Sequence, residues 1–263
     1  MNSSKTDISG FLAFNDSLAA CAQENADVLG LVLVGSTAET FRADEWSDHD
    51  FFLIVKPGGG ESFRKDLSWL PDSKEIVFSV RETDHGLKVV YSSGQILEFA
   101  VFEDAELELA SVNSWDVPVD KTNIAERVKA IQVRTNPKFF TVEEEWAFLL
   151  STILIAIGRA RRGEILIAGQ GIRTRAMSHA LGLLRAAKKP MAGTDHFEDN
   201  LDRFRRVEMQ YPEGAKLLNS ISEMPVEDGA QALLDFVIKL GILNETQLSW
   251  ANVLRAKFGW LSN

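Results

Sequence analysis

The sequence predicts an α/β domain, of the α+β kind with a mixed sheet, over about residues 1–122, followed by an all-α domain over about residues 123–263. Two observations lead to this prediction. Up to residue 122, short runs rich in Val, Ile, Leu and Phe alternate with polar turns, as strands do. Beyond it, apolar residues recur at helical spacing over longer stretches. The chain of 263 residues is long enough to give each part its own core.

In the first part, two uninterrupted apolar runs stand out, at residues 31–34 and 50–56. Runs of this kind are typical of central strands that are buried on both faces. A helix is predicted before them, at 7–27, and a short one after them, at 61–70. The remaining strands are predicted at 75–80, 87–91, 96–102 and, at an edge, 117–119, with a hairpin turn at Ser92-Ser93-Gly94.

In the second part, Thr141 predicts the start of a helix, because three glutamates follow it and three arginines lie near residue 160. Acidic residues first and basic residues last complement the helix dipole. Further helices are predicted at about 172–187, 197–210, 213–222, 227–241 and 246–258.

Composition limits the class of protein. The content of 45% hydrophobic and 25% charged residues is that of a soluble globular protein, and no apolar run reaches the roughly 18 residues of a membrane span. We find no secretion signal, and Cys21 is the only cysteine, so a cytoplasmic location is expected and a cysteine metal site is excluded. The net charge of −10 disfavours a nucleic-acid substrate and favours a small cationic one.

The most informative stretch joins the two apolar runs. The first run ends at Gly35-Ser36, and Asp48-His49-Asp50 leads directly into the second. Alternate residues of a strand point the same way, so Asp48 and Asp50 project from one face, about 6–7 Å apart. Two carboxylates this close need a cation between them, and magnesium prefers such oxygen ligands together with substrate phosphates. Gly35 lets a phosphate approach the backbone, and Ser36 can donate hydrogen bonds to it.

This stretch resembles the nucleotidyltransferase superfamily related to DNA polymerase beta, whose signature is a strand, Gly-Ser, a spacer of about ten residues and an Asp-x-Asp entering a strand. Gly35, Ser36, Asp48 and Asp50 match that signature, and the match covers about residues 30–120. The basic Arg42 lies in the spacer, as in many members, and is expected to contact the nucleotide.

Two further residues complete the comparison with the family. His49 stands where the family usually has an apolar residue, and strand alternation directs it away from the metal. The resemblance implies a third carboxylate on a later strand, for which Glu98 fits best because it is an acid inside an apolar run. Glu98 would be a metal ligand or the general base, and the alternative is an edge-strand acid that faces water.

The resemblance implies a reaction. Two magnesium ions at Asp48, Asp50 and Glu98 would support transfer of a nucleoside monophosphate from a nucleoside triphosphate, with ATP the expected donor, to a hydroxyl of a small molecule. The length and the helical second part resemble the antibiotic-modifying branch, which includes aminoglycoside adenylyltransferases and lincosamide nucleotidyltransferases. Transfer to a protein or tRNA and a non-catalytic nucleotide-binding regulator are the alternatives. A homodimer is compatible with the sequence.

A basic segment in the second part is a second candidate for nucleotide binding. Residues 159–189 carry eight Arg or Lys and one acid, a net +7. Within it, Arg173 and Arg175 lie near a predicted helix start, where the dipole disfavours cations, so a bound triphosphate would explain them. The alternative is surface arginines on a helix that starts earlier, at Glu164. Trp46, just before Asp48, is a candidate to stack on the base or line the substrate site, and packing within its loop is the alternative.

Overall fold

The computed structural model describes residues 7–134, 140–194, 197–199 and 201–260. The chain forms two compact units, Met1–Asn136 and Pro137–Asn263. The sequence analysis placed the boundary between the two domains at residue 122. The first unit of the structure includes one further helix after that residue, which packs on its sheet.

The first unit contains a six-stranded sheet. Its strands are β1 (Val28–Val34), β2 (His49–Val55), β3 (Ile76–Arg81), β4 (Gly86–Tyr91), β5 (Ile96–Glu103) and β6 (Trp115–Asp120). Their order across the sheet is β3-β4-β5-β2-β1-β6. The β2–β5 pair is parallel and the other four pairs are antiparallel, so the predicted mixed sheet is confirmed.

The helices of the first unit pack on both faces of the sheet. They are α1 (Ser9–Glu24), α2 (Gly35–Ala38), α3 (Gly60–Lys65) and α4 (Ile124–Arg134). On one face, Phe14 and Leu18 of α1 lie in a core with Phe51 and Leu53 of β2. On the other face, the buried side of α4 lies in a core with alternate residues of β1 and β2. That core comprises Val32, Ile54, Leu107, Val112, Ile124, Val128 and Ile131. Because α4 covers the sheet, the first unit extends beyond residue 122.

The second unit is helical, as predicted. Its helices are α5 (Val142–Arg161), α6 (Ile165–Gln170), α7 (Met177–Ala187), α8 (Val207–Gln210), α9 (Pro212–Ser222), α10 (Val226–Lys239) and α11 (Glu245–Phe258). Thr141 caps α5 as expected: its hydroxyl accepts the N–H of Glu144, whose carboxylate accepts the N–H of Thr141. Trp146 of α5 is fully buried, and its indole N–H donates to the carbonyl of Gln247 at 2.9 Å.

Two predicted helices of the second unit need correction. The helix predicted at 172–187 begins earlier, since α6, a π-helical segment at Gly171–Ala176 and α7 follow one another from Ile165. The helix predicted at 197–210 is wrong except for its last turn, α8. The Asp199 carboxylate is buried, accepts the N–H groups of Leu201 and Asp202 and pairs with Arg206, which has a φ of +59°. Such local side-chain bonds to backbone compete with helix formation.

Among the described residues, no helix has both the length and the apolar composition that crossing a membrane requires.

Candidate active site

The turn that follows β1 favours glycine for two reasons. Gly35 has a φ of +58°, in the left-handed region that other residues rarely adopt. In addition, a Cβ at this position would lie 2.9 Å from Oδ2 of Asp50. The chain thus turns directly beside the Asp50 carboxylate, and this contact links the Gly-Ser turn of the sequence motif to its second aspartate.

Thr37 joins the same turn to the aspartate segment, a role that the sequence analysis did not predict. Its side chain is buried in α2, and its Oγ1 accepts the backbone N–H of Asp50 at 2.7 Å. The hydroxyl donates to the carbonyl of Asp48 at 3.4 Å. One hydroxyl therefore satisfies backbone groups on both sides of His49 and fixes the segment that carries the two aspartates.

The three predicted carboxylates come together. Asp50 lies in β2 directly opposite Glu98 in the parallel β5, and Asp48 immediately precedes β2. One oxygen from each of Asp48, Asp50 and Glu98 lies within 4.8 Å of the others, and all three residues are half-buried. Glu98 is not an edge-strand acid, because β5 lies between β2 and β4. A set of three carboxylate oxygens fits magnesium, which prefers hard oxygen ligands.

A lysine, which the sequence analysis also missed, contacts this cluster. Lys88 of β4 is the cross-strand partner of Glu98, and its Nζ lies 3.3 Å from Oε2 of Glu98. The same amine lies 3.1 Å from Oε1 of Glu82. The sequence contained the information needed to find Lys88. The predicted hairpin turn at 92–94 sets the β4–β5 register, and that register places residue 88 opposite residue 98.

His49 packs on the opposite side of the strand from the carboxylates, as strand alternation predicts. Its ring stacks on Phe11, with ring centres 4.1 Å apart, and Nδ1 lies 2.8 Å from Oδ1 of Asn15 in α1. Burial lowers the pKa of His49 to about 4, because water no longer stabilises the charged ring. The neutral ring then donates from Nδ1 to Asn15 and anchors α1 to the aspartate segment.

Two cavities of the first unit are lined in part by residues of the cluster. One, of about 580 Å³, is lined by Asp48 together with Asp7, Asp44, Glu45 and Trp46. The other, of about 200 Å³, is lined by Asp50, Glu98 and Glu82. Trp46 is 85% exposed, so its side chain is not packed within its loop. It remains a candidate to line the substrate site in the first cavity.

The other nucleotide-binding residues predicted in the first unit lie close to the turn in sequence. Ser36 lies in the first turn of α2 and is half-buried. Arg42 ends a 3-10 turn and forms an ion pair with Glu39 that leaves its side chain 13% exposed. Their contact with a nucleotide stays a prediction.

The two arginines predicted in the second unit lie inside a helical stretch and not at its start. Both belong to the π-helical segment, so the argument from the helix dipole is wrong and the alternative of an earlier start is correct. The Arg173 guanidinium donates to the carbonyls of Ser222 and Met224, at 2.9 and 3.2 Å, and thereby ties the segment to the α9–α10 connection. Arg175 lines a small cavity with Arg159. Their role toward a nucleotide stays a prediction.

Several solved structures are similar to this chain at low sequence identity. No family model and no curated protein matches the chain. A solved aminoglycoside 6-adenyltransferase from Bacillus subtilis is similar at 13% identity and a TM-score of 0.38, covering 94% of this chain and 97% of that one. A nucleotidyltransferase-like protein from Exiguobacterium sibiricum has 13% identity and a TM-score of 0.34, and the match covers 88% of this chain and 74% of that one. A chain of the E. coli CdnC:HORMA-deltaN complex has 10% identity and a TM-score of 0.27, and the match covers 86% of this chain and 88% of that one. With TM-scores below 0.5, this likeness establishes neither family nor activity.

Replacing Thr37 with Val should destabilise the protein by about 1–3 kcal/mol, because the isosteric side chain leaves the N–H of Asp50 without its acceptor. Thr37→Ser keeps the hydroxyl and should lose less stability than Thr37→Val. Urea unfolding of both variants measures the difference. Equal stability of the Val and Ser variants would show that the hydroxyl does not hold the aspartate segment.

Acidification should destabilise the protein through His49. Its folded pKa of about 4 lies below the ordinary 6.5, so the neutral ring's contribution is complete above about pH 6.5 and is lost as pH falls toward 4. Between about pH 7 and pH 5 the loss should be about 2 kcal/mol. Urea unfolding in EDTA should show a smaller loss for His49→Phe than for wild type.

Leu18→Ala is the control for the His49 experiment, because it weakens the packing of α1 on the sheet and leaves the rings that stack on His49 in place. It should lower stability at both pH values and keep the wild-type pH dependence. Identical pH dependence in wild type and His49→Phe would contradict the assignment.

Proposed function

We propose that this chain is a metal-dependent nucleotidyltransferase that moves a nucleoside monophosphate from a nucleoside triphosphate, with ATP the expected donor, to a hydroxyl of a small molecule. The observation that carries the proposal is the cluster of Asp48, Asp50 and Glu98 beside a glycine turn. Three carboxylates on neighbouring strands repel one another, and a protein that needs only a stable sheet has no use for them. A bound cation would offset this repulsion, so the cluster supports a metal site.

The chemistry divides between the metal and the protein. Magnesium at the cluster would neutralise the triphosphate and lower the pKa of the attacking hydroxyl. The acceptor oxygen attacks the α-phosphorus, the bond from that phosphorus to the β-phosphate oxygen breaks, and pyrophosphate leaves. A carboxylate oxygen of Glu98 accepts the hydroxyl proton or binds metal. Asp48 and Asp50 would hold the cation, and Thr37 keeps both aspartates at the turn.

The two cavities support a reaction with two substrates. Asp48 lines the larger one, while Asp50 and Glu98 line the smaller, so each cavity has part of its wall in the cluster. The larger cavity also contains Asp7, Asp44 and Glu45. An acidic lining and a net charge of −10 favour a cationic or polyhydroxylated acceptor and disfavour tRNA. An aminoglycoside meets this description, and a lincosamide is the less charged alternative.

Asp48→Asn and Asp50→Asn should each lower the rate of pyrophosphate release at least about a hundredfold, because each removes a charged metal ligand. Both variants should unfold at the wild-type temperature or slightly above it in EDTA, since repulsion within the cluster falls. Asp16→Asn, which neutralises an exposed acid of α1, is the control and should keep wild-type activity. Activity within tenfold of wild type in both site variants would rule out the proposed site.

A screen of aminoglycosides and lincosamides with each of the four nucleoside triphosphates should identify an acceptor. For a cationic acceptor, KM should rise with ionic strength, because salt screens its attraction to the acidic cavity. Glu45→Gln should raise the KM for that acceptor and leave the KM for the nucleotide unchanged. Modification of a protein or tRNA, with none of these small molecules modified, would overturn the acceptor class and leave the chemistry standing. Nucleotide binding without any transfer would favour the alternative function of a non-catalytic nucleotide-binding regulator.

A further inference from the structure

Lys88 belongs to a row of charged residues that crosses three strands. It pairs with Glu98 across β4 and β5, and Glu98 pairs with Asp50 across β5 and β2. The neighbours of Lys88 along its strand, Leu87 and Val89, are buried in the core on the other face. The register of the hairpin therefore fixes the amine on the face that carries the carboxylates.

The contacts of Lys88 are electrostatic. Its amine lies between two acids, 3.1 Å from Oε1 of Glu82 and 3.3 Å from Oε2 of Glu98. The side chain is 38% exposed, and an ion pair so exposed contributes little to folding. The positive charge of the amine instead offsets one of the three negative charges of the cluster that could hold a metal.

We propose that Lys88 is a tethered cation of the carboxylate cluster, which occupies Glu98 in the nucleotide-free protein and weakens the binding of divalent metal there. The inference rests on the proposed function and deepens it by assigning Lys88 a role in setting the metal affinity of the cluster. A positive amine and a divalent ion compete for the same carboxylate oxygens and repel each other.

An order of binding follows from this competition. The free site holds a divalent ion weakly, because Lys88 already neutralises part of the cluster. A triphosphate adds several negative charges, which outweigh one lysine, so metal and nucleotide bind together. Glu82, the second acid in contact with the amine, can hold Lys88 when Glu98 turns toward the metal.

The test is calorimetric titration of the full-length, nucleotide-free protein with Mn²⁺. Lys88→Met should bind Mn²⁺ about threefold to tenfold more tightly than wild type, the range expected when one partly exposed unit charge beside a divalent-ion site is removed. Lys88→Arg keeps the charge and should bind as wild type does. Lys65→Met, which breaks an exposed ion pair with Glu61 on α3, is the matched control and should leave the affinity unchanged. Lys88→Gln provides a second neutral variant if the Met variant folds poorly.

The outcomes separate this inference from the proposed function. Adding Asp50→Asn to Lys88→Met should abolish the gain, because the tighter site is the cluster. If the neutral variants bind Mn²⁺ no more tightly than wild type while Asp50→Asn still abolishes binding, Lys88 is only a support for Glu98 and the proposal is overturned. If Asp50→Asn leaves Mn²⁺ binding intact, the metal site itself is wrong, and the proposed function fails with it.

Discussion

The parallel pairing of β2 with β5 is the contact on which the candidate site depends. It places Asp50 opposite Glu98, and the antiparallel β4–β5 hairpin then places Lys88 beside Glu98. A shift of one residue in either register would turn these side chains to the opposite face, into the core that contains Phe51 and Phe99. The packed aromatic rings, 4.7 Å apart and nearly parallel, make such a shift unfavourable. The apolar face of the sheet thus fixes the geometry of the polar one.

The aspartate segment is held from both sides. Thr37 accepts and donates hydrogen bonds on the carboxylate side, and His49 stacks on α1 on the other. Gly35 permits the close approach of the turn to Asp50. Repulsion among three carboxylates tends to spread this segment, so rigid backbone support is needed to keep their oxygens within 4.8 Å. Lys88 supplies part of the missing positive charge.

Two glutamates of the helical unit serve its own structure. Glu145 of α5 is buried, and its carboxylate pairs with His179 at 2.6 Å and with Arg203 at 3.0 Å. A Cβ at Gly182 would lie 2.3 Å from that carboxylate, so the glycine makes room for it. Glu144 caps the same helix. These two glutamates therefore serve the folding of this unit.

The sequence by itself determined the strands, most helices, and the positions of Asp48 and Asp50, because strand alternation, turn residues and helical spacing are local properties. It also indicated Glu98, through an acid in an apolar run. Only the tertiary structure decided which strands are neighbours, and so the contacts of Thr37 and Lys88, since strand pairing joins segments that are distant in the chain. It likewise decided that α4 belongs to the first unit and that the loop around Asp199 is not a helix, because packing and side-chain hydrogen bonds override local propensity there.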